Sequence, residues 1–316
     1  MTNEENLDDK VERNHHYRPD ESPENWQIEG SEEKVTKKFI FLGVLPICLV
    51  FILIILYLLV YINAKQQLKQ DYSWVSAGFA LAPTDTASII KGEHIATTRG
   101  CKDCHGNNYE GKILQDNWQG RIVAPNLTAD NGSATYHYFD DDWVKAIKHG
   151  FGKDNKPLLI MPSADYNSLS DSDLLCMIAY LKKLPPVNNN LPKRKLNPIT
   201  YLGIAMGKFP PIAANIIDHS AASIGAIKPD TTIQYGNYIS ASCIGCHGVN
   251  LKGAAGPSLT SSGDLGKWNY ETFNIAITHG KLPSGKDLKP EMPWKSFASM
   301  NEVELKALFK YFKSLK

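Results

Sequence analysis

The hydrophobic pattern of this 316-residue chain divides it into three unlike stretches. Residues 1–38 are polar, with no sustained apolar period, and read as a flexible acidic tail in which His15 and His16 are a solvated pair. Phe39 to Ile62, FIFLGVLPICLVFILIILYLLVYI, is 24 residues without a charge. At about 1.5 Å per residue a helix of that length exceeds a hydrocarbon core of about 30 Å. The run is longer than the apolar part of a cleaved signal peptide, lies well in from residue 1 and is followed by no small-residue cleavage pattern. It predicts a membrane-spanning signal-anchor, with Pro46 at most kinking it. Residues 63–88 read as a stalk.

Beyond the stalk the apolar positions recur at helical spacing, and they recur twice. The order IIKGEHIATTRGCKDCHGNNYEGK, APNLT, DDWVKAIKHG, LLIMPSADY, SDSDLLCMIAYLKKLPP is repeated as TIQYGNYISASCIGCHGVNLKG, GPSLT, YETFNIAITHG, PEMPWKSF, NEVELKALFKYFKSLK. One domain duplicated at 89–186 and 228–316 accounts for both copies. Each copy predicts a short helix entering CxxCH, a middle helix ending at an HG pair and a terminal amphipathic helix. The last helix starts at Ser170 with Asp173 in the capping-box position, and at Asn301 with Glu304. Leu305, Leu308, Phe309, Phe312 and Leu315 form its apolar stripe in the second copy. No period-two strand stands out, so the predicted class is all-α. The interdomain segment 187–227, with Lys193-Arg194-Lys195 and the apolar pieces YLGIAMGKF and PIAANIID, predicts a structure packing across both domains.

Charge adds little. The net value of +1 gives no reason to expect a nucleic-acid partner, and the acidic excess is confined to residues 1–38, which hold 11 Asp or Glu against 6 Lys or Arg. Lys37 and Lys38 before the apolar run balance Lys65 and Lys69 after it, so flanking charge does not orient the helix. Four of the six cysteines belong to the two CxxCH units. Cys48 and Cys176 fall in apolar patterns and read as buried small hydrophobes, with no structural disulfide expected.

Chance would produce about 0.003 CxxCH patterns in a chain with these cysteine and histidine counts, and there are two. A tetrahedral zinc site wants four ligands from paired knuckles, whereas these are two separated triplets, each in its own domain. A thioredoxin-type dithiol needs a βαβ context and has no use for the histidine. Covalent c-type haem uses every residue: Cys101 and Cys104, and Cys243 and Cys246, form thioethers, while His105 and His247 ligate iron.

A sixth ligand is needed if the haem is to be a pure electron carrier. Met161-Pro162 and Met292-Pro293 occupy equivalent places before the last helix of each copy, and these methionines are the predicted partners of His105 and His247. Met177 reads as core, Met300 and Met206 have no counterpart in the other copy, and His149 and His279 read as helix ends followed by capping glycines. The carbonyls of Pro125 and Pro257 are placed to accept the histidine Nδ1 proton. Trp118 and Arg121 are candidates for the haem propionates, with plain packing an equal reading for Trp118.

With CKDCHG, APNLT and MPS, and again CIGCHG and EMPW, the chain from Ile89 onward resembles bacterial membrane-anchored di-haem c-type cytochromes built from class I cytochrome c domains. APNLT is also similar to cytochrome subunits of membrane dehydrogenases, which commonly carry three haem motifs where this chain has two. The anchor with two domains is similar in outline to a subunit of haem-copper oxidases. The resemblance implies two tandem all-helical cytochrome c domains carrying two covalent haem c groups, with Gly92 and Gly236 letting the entering helix approach Tyr180 and Tyr311. Because haem is attached outside the cytoplasmic membrane in such proteins, it also implies periplasmic haem domains and a cytoplasmic N-terminus. The expected function is single-electron transfer between a quinol-oxidising complex or dehydrogenase and a terminal oxidase, with redox proteins as partners, either as a carrier or as a subunit of a respiratory complex. Catalysis by the chain itself is not expected; a di-haem peroxidase, which needs an open iron, is the enzymatic alternative.

Overall fold

The computed structural model describes residues 40–78 and 81–316. The predicted acidic tail, with His15 and His16, lies outside the described residues. By internal packing the chain divides into a unit ending at Leu56 and a second unit, Tyr57–Lys316.

The described part of the first unit is a π-helical turn, Ile40–Val44, leading into α1, Leu45–Lys69, which continues into the second unit. Among the described residues, α1 is the one helix long and apolar enough to cross a membrane. Most of its apolar side chains as far as Ile62 are exposed. Cys48 is exposed among them, not buried as its sequence context suggested. The helix runs seven residues past Ile62, to Lys69.

The residues read as a stalk are packed in the second unit. Ala64 is fully buried with Leu159, Ile204 and Ile212, and Tyr72 and Val75 are buried with Phe151 and Ala214. Tyr72 stacks on Phe151 with ring centroids 5.2 Å apart.

Two helical domains follow, and each repeats the other. The first contains α2, Thr86–Thr98, capped by the Asp85 carboxylate. After it come α3, Cys101–His105, and a hairpin of β1, Lys112–Asn117, and β2, Gly120–Ala124. Next are α4, Asp140–Val144, continued as a π-helical stretch to His149, α5, Ser163–Tyr166, and α6, Asp171–Leu181. The interdomain segment supplies β3, Lys195–Leu196, and α7, Pro198–Ala205. The second domain contains α8, Ile233–Ile239, α9, Ala241–His247, α10, Tyr270–His279, α11, Trp294–Phe297, and α12, Glu302–Ser314.

The packing that defines each domain is the crossing of its first and last helices. A Cβ on Gly92 would lie 1.9 Å from the carbonyl oxygen of Cys176, and one on Gly236 would lie 2.2 Å from that of Ala307, so only glycine permits these approaches. Gly236 does meet Tyr311, as expected. Gly92 meets the α6 backbone at Cys176 and Met177, one turn before the expected Tyr180. The N-caps fall where the sequence put them. Asn301 and Glu304 form a complete capping box, with Glu304 N donating to Asn301 Oδ1 and Asn301 N to Glu304 Oε2. Ser170 accepts from Asp173 N, but the Asp173 carboxylate turns away to Lys91 and Tyr238, leaving that box half made. Each cap contributes about 1 kcal/mol.

The all-α expectation is corrected by a three-stranded antiparallel sheet, β1-β2-β3, inserted in the first domain between the CxxCH loop and Pro125. Its third strand comes from the interdomain segment. That segment's hydrogen bonds run chiefly to the first domain: Asn189 Nδ2 to the carbonyls of Glu110 and Gly111, and Asp171 N to the carbonyl of Ile224.

Candidate functional site

Each CxxCH lies on a short helix ended by a glycine with φ near 86°, Gly106 and Gly248. Four residues after each histidine the chain takes a left-handed turn at a non-glycine residue, Tyr109 (φ 60°) and Leu251 (φ 57°). Both side chains are almost fully buried, so apolar packing offsets the strain of that conformation. The amides of Gly111 and Gly253 close the loop on the histidine carbonyls, at 2.7 and 2.9 Å. The turn then delivers a proline carbonyl to the ring: His105 Nδ1 donates to Pro125 at 2.8 Å and His247 Nδ1 to Pro257 at 2.6 Å.

These bonds fix the tautomer. With Nδ1 carrying the proton, Nε2 is the lone-pair nitrogen, the atom an iron takes, and the carbonyl makes it more basic. Both imidazoles are buried, and burial lowers the pKa of His105, which keeps its ring neutral. The middle helices end as read, at Gly150 (φ 76°) and Gly280 (φ 67°) in left-handed caps. His149 ends the first of them. It is buried against His219, with the two Nδ1 atoms 3.1 Å apart, and its pKa falls to about 4 through burial and the neighbouring imidazole. His279 Nδ1 pairs with the Thr278 hydroxyl.

The Met-Pro turns also match. Pro162 and Pro293 share one backbone conformation (φ −80°, ψ 52° and 51°), and the amides two residues after each methionine bond its carbonyl at 2.8 Å. Met161 and Met292 are half-buried and pack against the hydrophobic core. Met177 is core, as read, Met300 is buried in the same hydrophobic cluster, and Met206 is exposed.

A dithiol reading fits poorly. Burial pushes the Cys101 and Cys243 thiols up to about 12, the reverse of what a reactive CxxC needs. Among the described residues no group of three or more His, Cys, Asp or Glu is placed to hold a metal ion. The residues fit haem instead: paired thiols, a buried imidazole held by a carbonyl, and a thioether side chain on an equivalent turn in each domain.

Trp118 and Arg121 both belong to the inserted hairpin. Trp118 is at the tip of the hairpin, 71% exposed, and Arg121 pairs with Asp116 at 2.8 Å on the same hairpin. At about 3.3 Å per strand residue, Arg121 stands roughly 13 Å back along β2 from Pro125.

The two sites meet through a reciprocal junction that sequence reading did not find. Ser296, four residues after Met292, donates to Asp103, which lies between Cys101 and Cys104, at 2.9 Å. Asp165, four residues after Met161, packs on Gly245, which lies between Cys243 and Cys246; a Cβ there would sit 2.9 Å from its Oδ2. Arg99 Nη1 donates to the carbonyl of Ile239 at 3.0 Å and to the Ser242 hydroxyl. The Met turn of each domain thus abuts the CxxCH turn of the other.

The cytochrome c family model matches residues 89–185 and 233–316, the two repeated domains. The chain belongs to the cytochrome c family. With that family comes covalently bound haem c. Among known relatives, the cytochrome c subunit of the quinone-dependent alcohol dehydrogenase of Gluconobacter oxydans is 26% identical over 282 residues, 76% of this chain and 58% of the relative. The fructose dehydrogenase cytochrome subunit of Gluconobacter japonicus is 30% identical over 116 residues, 34% of this chain and 24% of the relative. The gluconate 2-dehydrogenase cytochrome c subunit of Pantoea cypripedii is 30% identical over 109 residues, 33% of this chain and 25% of the relative. This cytochrome spans less than two thirds of the length of each.

Proposed function

We propose that the chain is a membrane-anchored di-haem c-type cytochrome that passes single electrons on the outer face of the cytoplasmic membrane, as the electron-transfer subunit of a membrane dehydrogenase. The observation that carries this reading is the equivalence of two sites, each with a buried histidine held through Nδ1 by a proline carbonyl, inside two family-matched segments. The relatives' description as dehydrogenase cytochrome subunits supports a subunit over a free carrier. The anchor reading rests on α1, and the outward orientation on where c-type haem is attached.

Bound haem would supply a one-electron iron couple in each domain. The chain's own residues do the rest. Cys101, Cys104, Cys243 and Cys246 would hold the two porphyrins by thioether bonds; His105 and His247 would offer Nε2 to iron while Pro125 and Pro257 hold their rings. Met161 and Met292 would each offer a thioether to that iron, a soft ligand that favours electron transfer over ligand chemistry. Tyr109 and Leu251, buried beside the motifs, help exclude water.

Purification of the full chain in mild detergent from its native membrane tests the subunit reading. A dehydrogenase subunit co-migrating in fixed proportion is expected; a lone cytochrome would overturn the subunit role and restore the carrier.

A further inference from the structure

Haem chemistry leaves the interdomain helix α7 unexplained. Its sequence, PITYLGIA, has no charge, and only one side is covered. Thr200 and Ile204, four residues apart, face inward: the Thr200 hydroxyl bonds the carbonyl of Gln119, and Ile204 is buried with Ala64, Leu159 and Ile212. The other side is open. Ile199 is 39% exposed and Met206, two turns on, 58%; Leu202 between them is half-buried, and a Cβ on Gly203 would meet nothing within 4 Å.

What stands beside α7 suggests the occupant. The last turns of α1 belong to the same unit, and Ala64 on them is buried against Ile204. One turn earlier, Tyr61 meets Tyr201 of α7 edge-on at 4.9 Å, and Lys65 lies 4.8 Å from the Tyr61 ring centroid. Tyrosines with a lysine just beyond an apolar run are the usual furniture of a membrane–water boundary. Exposed basic residues flank α7 on both sides, Lys193, Arg194 and Lys195 before it and Lys208 after it. A short apolar helix with cationic ends, packed on a spanning helix where that helix leaves the hydrocarbon, is placed to meet the lipid headgroups.

We propose that α7 is a membrane-surface helix, with Ile199, Leu202 and Met206 at the acyl boundary and the flanking lysines and arginine on anionic lipid phosphates. This rests on the reading of α1 as membrane-spanning. One consequence concerns the haems. Leu159 is buried in the same cluster and Ile160 packs on it, two and one residues before Met161. The Met161 turn is therefore held at the bilayer, and the first domain is the membrane-proximal electron station.

Photo-crosslinking of the intact chain in nanodiscs of phosphatidylcholine and diazirine-bearing phosphatidylglycerol tests this, with trypsin and mass spectrometry to locate the label. The peptide Leu196–Lys208 should be labelled at least about fivefold more than Trp268–Lys281, whose Ile275 is as exposed as Ile199. Ile199→Asp with Met206→Asp should abolish the difference while Phe39–Lys65 stays labelled. Label on Phe39–Lys65 with none above control on Leu196–Lys208 overturns the proposal and leaves the anchor standing, and favours a protein partner or water on that face. No label on either overturns both readings.

Discussion

Arg99 Nη1 donates to the carbonyl of Ile239 at 3.0 Å, tying the residue two before Cys101 to the helix entering the second CxxCH. Tyr166 Oη donates in turn to the Arg99 carbonyl, at 3.1 Å. The two CxxCH domains are therefore one packed body at these turns, not beads on a linker.

Arg99→Ala should weaken that body. Hydrogen bonds from a charged donor contribute about 1.5–3 kcal/mol, so the denaturant midpoint of the holo-protein should fall accordingly. Loss of a positive charge beside both motifs should also lower both reduction potentials, read by spectroelectrochemistry. Arg99→Lys should keep the potentials and lose part of the stability.

His94 Nε2 meets the buried Glu304 carboxylate at 2.9 Å across the same interface, and this bond raises the histidine pKa. A raised pKa means that the stabilisation is fully present below the unfolded value of about 6.5 and is lost as pH rises through the higher folded value. The stability difference between wild type and His94→Gln, under about 1 kcal/mol for a partly exposed pair, should be measurable by urea unfolding at acidic pH and vanish in alkali.

Burial raises the Asp165 pKa to about 6, against the opposing pull of Arg99. Its carboxyl packs on the second CxxCH turn, so it is neutral below that pH and anionic above it. The midpoint potential of the second haem should fall as pH rises through about 6, because the new anion favours ferric iron. Redox titration of Asp165→Asn should show that slope removed.

Gly92→Ala and Gly236→Ala each force a methyl into a facing carbonyl. Overpacking of this kind costs about 1–3 kcal/mol or more, and thermal melts of the holo-protein should show the loss. Gly203→Ala, in open space on α7, should be neutral or slightly stabilising.

Local spacing made much of this legible in the sequence. CxxCH, the HG caps, the Met-Pro turns and the Ser170 and Asn301 caps are short-range patterns, and duplication marked each of them twice. The hairpin was hidden for a physical reason. The inward positions of β2 are Gly120, Ile122 and Ala124, two of them too small to show an apolar alternation, and β1 is largely exposed and polar. Its turn, Trp118-Gln119, carries no Asn-Gly signal. The reciprocal junction left no trace either, since Asp103, Asp165 and Ser296 acquire their roles only when the two domains pack.

The central claim is that both CxxCH turns carry haem. Intact-mass spectrometry of the purified chain tests it most directly: the account predicts the polypeptide mass plus two haems on every molecule. A population carrying one haem or none, or with a CxxC pair oxidised to a disulfide, would contradict it.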